Sequence, residues 1–341
     1  MMKVIKTLGK IVLALLAVIV VLFGLGYVLT FGEYHVPATV DQDPSLTSIT
    51  IDGYTYHAET FGDPANPVVI AVHGGPGGDY RSNLSLQALA DEYFVVFFDQ
   101  RGSGLSPRVD PKEITLESAI ADLDAVVEYF GQGKKVNLVG HSWGAMLASV
   151  YLGRYPEKVD HAVLAEPGFL NSEFAKEWAE GTQMRFSPGL IYYFLKTKFE
   201  SLHVNGPDGQ AADDYFGHQW NLYQGDDHPQ ASYYCDGVKP SENVSWRYGA
   251  AASNAIFQEA VDAEGSFDVN LASGVEQFEN TVLFMTGECQ QLIGAEYQSR
   301  QMELFPSAKL VVISDAGHEM FYENPEESVA AVRAYLNAPA R

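Results

Sequence analysis

A serine at the centre of a Gly-x-Ser-x-Gly sequence, Ser142 within residues 140–144, has the clearest chemical potential in this chain. The residues before it, 135–139, predict a buried strand, and residues 145–152 after it have the pattern of a helix. A Gly-x-Ser-x-Gly between a strand and a helix is typical of a nucleophile elbow, a tight turn that exposes the serine hydroxyl. We therefore expect Ser142 to attack a carbonyl carbon.

A glycine-rich segment, residues 73–78, follows the apolar run 68–72 and complements this serine. Attack on a carbonyl places negative charge on its oxygen, and fixed backbone N–H groups stabilise that charge. We expect the donors to be the N–H of Gly75, or of Gly74, together with the N–H of Trp143. The segment lacks the Gly-Lys-Ser/Thr ending of a nucleotide-binding loop, so phosphate binding is not expected.

A histidine near the C-terminus, His318, follows the apolar strand pattern of residues 309–313. A serine hydroxyl needs a base to remove its proton, and the imidazole titrates in the useful range. The order serine, acid, histidine along the chain is that of hydrolases built around a nucleophile elbow. We therefore expect His318 to be the general base for Ser142.

Four segments together, residues 73–78, 99–106, 140–144 and 317–318, resemble the proline iminopeptidase-like branch of the α/β-hydrolase superfamily. The resemblance covers about residues 50–338 and implies a mostly parallel eight-stranded sheet with flanking helices. It also implies a helical cap inserted after strand six, and activity on esters, amides or N-terminal peptide bonds. This branch usually has glycine where His141 stands, which argues against peptidase specificity.

The acid of the expected triad is not at its usual place. In this superfamily an aspartate usually closes a Gly-x-x-Asp sequence after strand seven, but here Gln290 stands at that position. The superfamily also allows an acid just after strand six, where this chain has Glu166. We therefore expect Glu166 to complete the triad, with Glu288 as the reserve candidate. The competing hypothesis is a disabled hydrolase without a triad acid.

The composition excludes some classes of function. Hydrophobic residues make up 47% of the 341 residues, which is enough for a large core. The net charge of −23 argues against nucleic-acid binding, which needs a basic surface, and against anionic substrates and electrostatic docking on anionic lipid. Metal-ligand spacings such as His-Glu-x-x-His and Cys-x-x-Cys are absent, so we expect no metal and no other cofactor.

The N-terminal segment differs from the rest of the chain. Three lysines precede an uncharged stretch, residues 11–32, which as a helix would be roughly 33 Å long. Residues 1–32 are expected to be a transmembrane anchor, or alternatively a cleaved signal segment, and residues 33–46 a tether. Positive charge on the leading side places the rest of the chain outside the cytoplasm in either case.

The remaining residues divide into a core and an insertion. We predict an α/β-hydrolase core from residues 47–167 and 276–341, and a helical cap from residues 168–275. The cap is rich in aromatic side chains, most of which are expected in its core and a few in the substrate pocket. Three glutamates on one predicted cap helix could bind a substrate amine, namely Glu173, Glu177 and Glu180.

The two cysteines, Cys235 in the cap and Cys289 after strand seven, could form a disulfide in an oxidising compartment. The sequence as a whole predicts a membrane-anchored serine hydrolase that acts on a small-molecule ester. A proline iminopeptidase-like aminopeptidase acting on a peptide is the first alternative. A binding or scaffold protein that kept the fold without catalysis is the second.

Overall fold

An eight-stranded sheet is the centre of the structure, a computed structural model that describes residues 2–223, 225–239, 241 and 244–339. The strands are β1 (Ser48–Ile51), β2 (Tyr54–Phe61), β3 (Val68–Val72), β4 (Phe94–Phe98), β5 (Val136–His141), β6 (Val159–Ala165), β7 (Val282–Gly287) and β8 (Ala308–Ile313). Their spatial order is β1-β2-β4-β3-β5-β6-β7-β8. β2 pairs antiparallel with β1 and β4, and all other neighbours in the sheet pair in parallel. The predicted α/β-hydrolase fold is therefore confirmed.

Helices cover both faces of this sheet and form an insertion after β6. They are α1 (Met2–Leu29), α2 (Leu116–Gly131), α3 (Trp143–Arg154), α4 (Ser172–Gly181), α5 (Pro188–Ser201), α6 (Ala211–Asn221), α7 (Ala250–Glu259), α8 (Ala295–Met302), α9 (Met320–Glu323) and α10 (Pro325–Leu336). Helices α4 to α7 follow β6 and precede β7, at the place where the sequence predicts a cap. The parallel strands are covered on both faces, and β3, β5 and β7 are buried along their whole length.

Local sequence signals fix where several helices begin. Thr115 and Ser118 form a reciprocal capping box at the start of α2. The side chain of Asn324 accepts a hydrogen bond from the N–H of Glu327, and Pro325 occupies the first turn of α10.

Helix α1 lies outside the sheet and its described side chains are largely exposed. Among the residues that the structure describes, its span Ile5–Leu29 is the one helix long and apolar enough to cross a membrane, with a mean hydropathy of 3.0. Its C-terminal turns contact α5 of the insertion.

Candidate active site

The turn between β5 and α3 holds Ser142 in a strained backbone conformation, with φ 55° and ψ −120°. The N–H of Ser142 donates to the carbonyl oxygen of Ala165 at 2.8 Å, which joins the turn to the end of β6. Glycine is required beside it, because a Cβ atom on Gly144 would lie 2.0 Å from the carbonyl oxygen of Val72. The turn therefore has the backbone geometry of a nucleophile elbow.

His318 and Glu166 lie in direct contact beside this turn. The Nδ1 atom of His318 is 2.6 Å from Oε2 of Glu166, which is fully buried. The other carboxylate oxygen, Oε1, accepts hydrogen bonds of 2.7 Å from the Thr286 hydroxyl and from the N–H of Gly287. With Nδ1–H donating to the carboxylate, Nε2 of His318 is left free to accept a proton, and His318 lines the same cavity as Ser142.

The carboxylate also governs the charge of the imidazole. Burial alone lowers the pKa of His318, but the hydrogen bond to Glu166 and the charge of that carboxylate outweigh burial. The pKa of His318 is therefore raised above its ordinary value, which makes the ring a stronger base.

The two other residues considered for the acid position are placed differently. Gln290 lies at the usual acid position, and its Nε2 donates to Oε2 of Glu166 at 3.3 Å. The amide oxygen of Gln290 accepts the N–H of Leu292 at 3.0 Å, which fixes the orientation of the amide. Glu288 is exposed and accepts a hydrogen bond from the N–H of Asp315 at 3.2 Å. Glu166 is thus the one of the two candidate acids in contact with His318.

The glycine-rich segment after β3 lies against the start of α3, so that Gly74, Gly75 and Trp143 line the cavity beside Ser142. Trp143 is the first residue of α3, and its backbone N–H therefore has no acceptor within the helix. Gln100 ties the two segments together. Its side-chain amide donates to the carbonyl oxygen of His73 and accepts from the Trp143 indole, both at 2.9 Å. The arrangement can hold two N–H groups towards one carbonyl oxygen.

His141, the residue before the candidate nucleophile, holds the loop of His318. Its Nε2 lies 2.7 Å from the backbone carbonyl oxygen of His318, to which it donates. Burial, followed by the charge of His318, lowers the pKa of His141 to about 3, so the ring is neutral. Its buried Nδ1 has no hydrogen-bond partner among the described atoms. No local sequence pattern indicates this role or the contacts of Gln100 and Gln290, because each depends on a contact between distant segments.

A cavity of about 610 Å³ extends from Ser142 between the sheet and the inserted helices. Its apolar wall includes Met146, Phe169, Trp178, Ile256, Phe257, Val269, Leu271 and Ile293. The cap aromatics that line this cavity are Phe169, Trp178, Trp220, Tyr233, Tyr234, Tyr248 and Phe257. Phe186, Tyr192 and Phe194, in contrast, are exposed.

The carboxylates at this cavity are not those that the sequence suggested. None of Glu173, Glu177 and Glu180 is among the described lining residues, and Glu177 pairs with Arg300 at 2.6 Å. The described lining carboxylates are Asp79, Glu259, Asp268 and Glu319. Within the part of the chain that the structure describes, no three His, Cys, Asp or Glu side chains are grouped as a metal site requires.

Cys235 and Cys289 form a disulfide beside the loop of His318. The N–H of Cys289 donates to the carbonyl oxygen of Ala316 at 2.9 Å. Two residues before Cys235, the carbonyl oxygen of Tyr233 accepts the N–H of His318 at 2.7 Å. The disulfide therefore ties together two segments that both support the backbone of the histidine loop.

Known proteins resemble this chain at the level of sequence and of fold. Residues 67–325 match the family model described as the alpha/beta hydrolase fold. A proline iminopeptidase of Xanthomonas citri is 32% identical over 145 residues, which are 42% of this chain and 46% of that protein. A proline iminopeptidase of Heyndrickxia coagulans is 25% identical over 297 residues, which are 79% of this chain and 90% of that protein.

Among solved structures, the crystal structure of a membrane phospholipase A, described as a bacterial virulence factor, superposes with a TM-score of 0.58 at 19% identity. The superposition covers 98% of this chain and 99% of that one, and at such identity it shows a common fold. The chain spans less than half of the length of the Xanthomonas relative. The family match nevertheless covers most of the chain, including Ser142, Glu166 and His318, and this protein therefore belongs to the α/β-hydrolase fold family.

Proposed function

We propose that this protein is a serine hydrolase that cleaves a carboxylic ester, or a related acyl bond, through an acyl-enzyme intermediate. The observation that carries the proposal is the contact of 2.6 Å between the Glu166 carboxylate and Nδ1 of His318, beside the strained turn of Ser142. A carboxylate at this position selects the imidazole tautomer that accepts the serine proton, and it stabilises the imidazolium that results. The same contact argues against a disabled hydrolase.

The proposed mechanism assigns a group of this chain to each chemical step. The hydroxyl oxygen of Ser142 attacks the carbonyl carbon while His318 takes the hydroxyl proton. The N–H groups of Trp143 and Gly75, or Gly74, stabilise the oxyanion. His318 then gives its proton to the departing alcohol, and it activates the water that hydrolyses the acyl-enzyme.

The mainly apolar cavity wall favours an ester with an apolar acyl group as the substrate. A second candidate is an aminopeptidase, supported by the similarity to proline iminopeptidases. Glu319 also favours it, because this glutamate lines the cavity and its buried Oε2 has no partner among the described atoms. A substrate ammonium group would satisfy that oxygen.

The test compares p-nitrophenyl esters with aminoacyl-naphthylamides on the wild type and on Ser142→Ala. We expect ester hydrolysis and labelling by a fluorophosphonate probe, with turnover lowered about 10⁴-fold or more in the variant. Ser299→Ala is the matched control, because this exposed serine donates to the carbonyl oxygen of Ala295 on its own helix and does not line the cavity. Ester hydrolysis near the wild-type rate in Ser142→Ala would contradict the mechanism, and a preference for naphthylamides would favour the aminopeptidase.

We also infer that α1 anchors the chain in a membrane, with the catalytic residues outside the cytoplasm. The apolar span Ile5–Leu29 is long enough to cross the hydrocarbon core, and lysines occupy its leading end. A cleaved signal segment is the alternative for the same residues.

A further inference from the structure

Helix α5 and the loop before it present an exposed apolar surface, called the α5 face below. Its members have side chains that are 42% to 77% exposed, namely Met184, Phe186, Ile191, Tyr192, Phe194, Leu195 and Leu202. Ile191, Leu195 and Leu202 lie at helical spacing on one stripe. The opposite side of the helix is buried through Leu190 and Ser201. The stripe therefore points away from the protein.

An outward apolar stripe is unusual for a helix that faces water. A surface helix normally has polar residues on its outer side, and a contiguous apolar patch marks an interaction site. In the described structure nothing covers the stripe. The neighbouring helix α1 indicates which kind of surface covers the stripe.

Helix α1 packs against α5 through the last turns of its apolar span. The rings of Phe23 and Phe199 lie 5.2 Å apart, and those of Tyr27 and His203 lie 4.2 Å apart. The Nε2 atom of His203 donates to the carbonyl oxygen of Tyr27 at 2.8 Å, which fixes the depth of α5 along α1. Phe23 lies about 9 Å before the end of the span at Leu29. A bilayer that surrounds α1 therefore reaches the level of α5.

The charged residues beside the α5 face are cations, which an anionic lipid surface attracts. Arg185, Lys196 and Lys198 lie within this segment, and no Asp or Glu occurs from Gln183 to Phe199. Lys196 pairs with Glu200 at the end of α5 and Lys198 with Asp213 on α6, and both lysine side chains remain more than 40% exposed. This local pattern opposes the net charge of −23 of the whole chain. Apolar side chains flanked by cations are typical of helices that lie in the headgroup region of a membrane.

We propose that the α5 face docks on the lipid bilayer, with the helix lying at the boundary of headgroups and acyl chains next to α1. This inference rests on the proposed anchoring by α1. It also deepens the proposed activity, because the face adjoins the catalytic cavity. The hydroxyl of Tyr193 on α5 donates to the carbonyl oxygen of Gln219 at 2.7 Å, and the next residue, Trp220, lines the cavity. The substrate class is accordingly an amphiphilic ester taken from the bilayer.

Nitroxide depth measurements on the full chain in anionic phospholipid vesicles test the docking. Both native cysteines are in the disulfide, so a cysteine introduced as Tyr192→Cys or Leu195→Cys takes the label alone. We expect labels at these two positions to collide more with oxygen than with a water-soluble nickel complex. Tyr129→Cys is the matched control, because Tyr129 is an aromatic side chain on α2 with 49% exposure. Its label should collide more with the nickel complex.

The outcomes separate the docking from the anchor and from the activity. Labels at Tyr192 and Leu195 that are as accessible to nickel as the control would overturn the docking. Labels shielded from both reagents and broadened by a second nitroxide would assign the face to another copy of this chain, which also overturns it. Failure of the chain to stay with the vesicles would reject both the anchor and the docking. None of these measurements depends on catalytic activity.

A kinetic comparison tests the substrate class. Leu195→Lys removes apolar contact with the bilayer and should lower hydrolysis of a long-chain ester embedded in vesicles about tenfold. Hydrolysis of a short, water-soluble p-nitrophenyl ester should not change, because Leu195 is outside the cavity. Equal effects on both esters would contradict the membrane route. Absence of hydrolysis of either ester by the wild type would reject the proposed function and leave the nitroxide result standing.

Discussion

At the scale of single residues, the site depends on how the Glu166 carboxylate is held. Its Oε1 accepts two hydrogen bonds from β7, and its Oε2 accepts from His318 and Gln290. A buried carboxylate is tolerated when its oxygens are satisfied in this way. Gln290, at the usual acid position, thus donates to the candidate acid Glu166, whereas an aspartate there would bring a second negative charge beside Glu166.

We predict that Glu166→Gln lowers kcat by up to about 10⁴ for a soluble p-nitrophenyl ester, because a neutral amide cannot stabilise the imidazolium by charge. Gln290→Ala should lose far less, since Gln290 contributes one hydrogen bond of 3.3 Å and no charge. The double variant Glu166→Gln with Gln290→Glu should recover part of kcat by supplying a carboxylate from the usual position. Thermal unfolding of each variant controls for misfolding. A Glu166→Gln variant as active as wild type would reject Glu166 as the triad acid.

The dependence of kcat/KM on pH provides a second test of the role of Glu166. The proposed mechanism needs neutral His318, whose pKa is raised in the folded protein, so activity should be lost as the pH falls through that raised value. In Glu166→Gln the supporting charge is gone while burial remains, and burial lowers the pKa of His318. The acid limb of kcat/KM should therefore move to lower pH in this variant. An unmoved limb would indicate that another acid sets the charge of His318.

At the scale of elements, the disulfide supports the loop that carries His318. Opening the disulfide frees the segment whose Tyr233 carbonyl oxygen holds the His318 N–H. We predict that Cys235→Ser combined with Cys289→Ser lowers the free energy of unfolding by about 4 kcal/mol in the chain-entropy model. The variant should also lower kcat, because the histidine loop gains freedom.

Chemical denaturation and ester kinetics, each with and without a thiol reductant, check this prediction. Reduced wild type should match the double serine variant, and the variant should not respond to the reductant. A variant with wild-type stability and kcat would show that the histidine loop holds its place without the disulfide.

The sequence predicts those elements of the fold and site that depend on local patterns. The turn of Ser142 and the caps of α2 and α10 are fixed by neighbouring residues, so local sequence motifs predict them. Glu166 could be inferred because Gln290 leaves a gap that the superfamily fills in a known way. The contact of His141 with His318 joins residues 177 positions apart, and no local pattern encodes it. The exposure of the apolar stripe of α5 could not be predicted for a related reason, since apolar periodicity does not tell which environment an apolar face meets.

At the scale of the whole molecule, charge and apolar surface are distributed unevenly. The chain carries a net charge of −23, while cations lie beside the α5 face, at Arg185, Lys196 and Lys198, and at the leading end of α1. An anionic bilayer would attract these two regions and repel the acidic remainder. This distribution favours one orientation, in which the α5 face meets the lipid and most of the acidic surface meets water.

The last prediction concerns that orientation in cells. If α1 is an uncleaved anchor with its lysines in the cytoplasm, the chain should stay in the membrane fraction at full length. Protease added to intact spheroplasts should then digest it, while a cytoplasmic marker protein stays whole. Replacing Lys3, Lys6 and Lys10 by glutamine and adding lysines to residues 33–46 reverses the charge bias that orients α1. We expect this variant to lose protease sensitivity in part. A shortened, soluble chain would identify residues 1–32 as a cleaved signal, and a full-length chain protected from protease would place the catalytic residues in the cytoplasm.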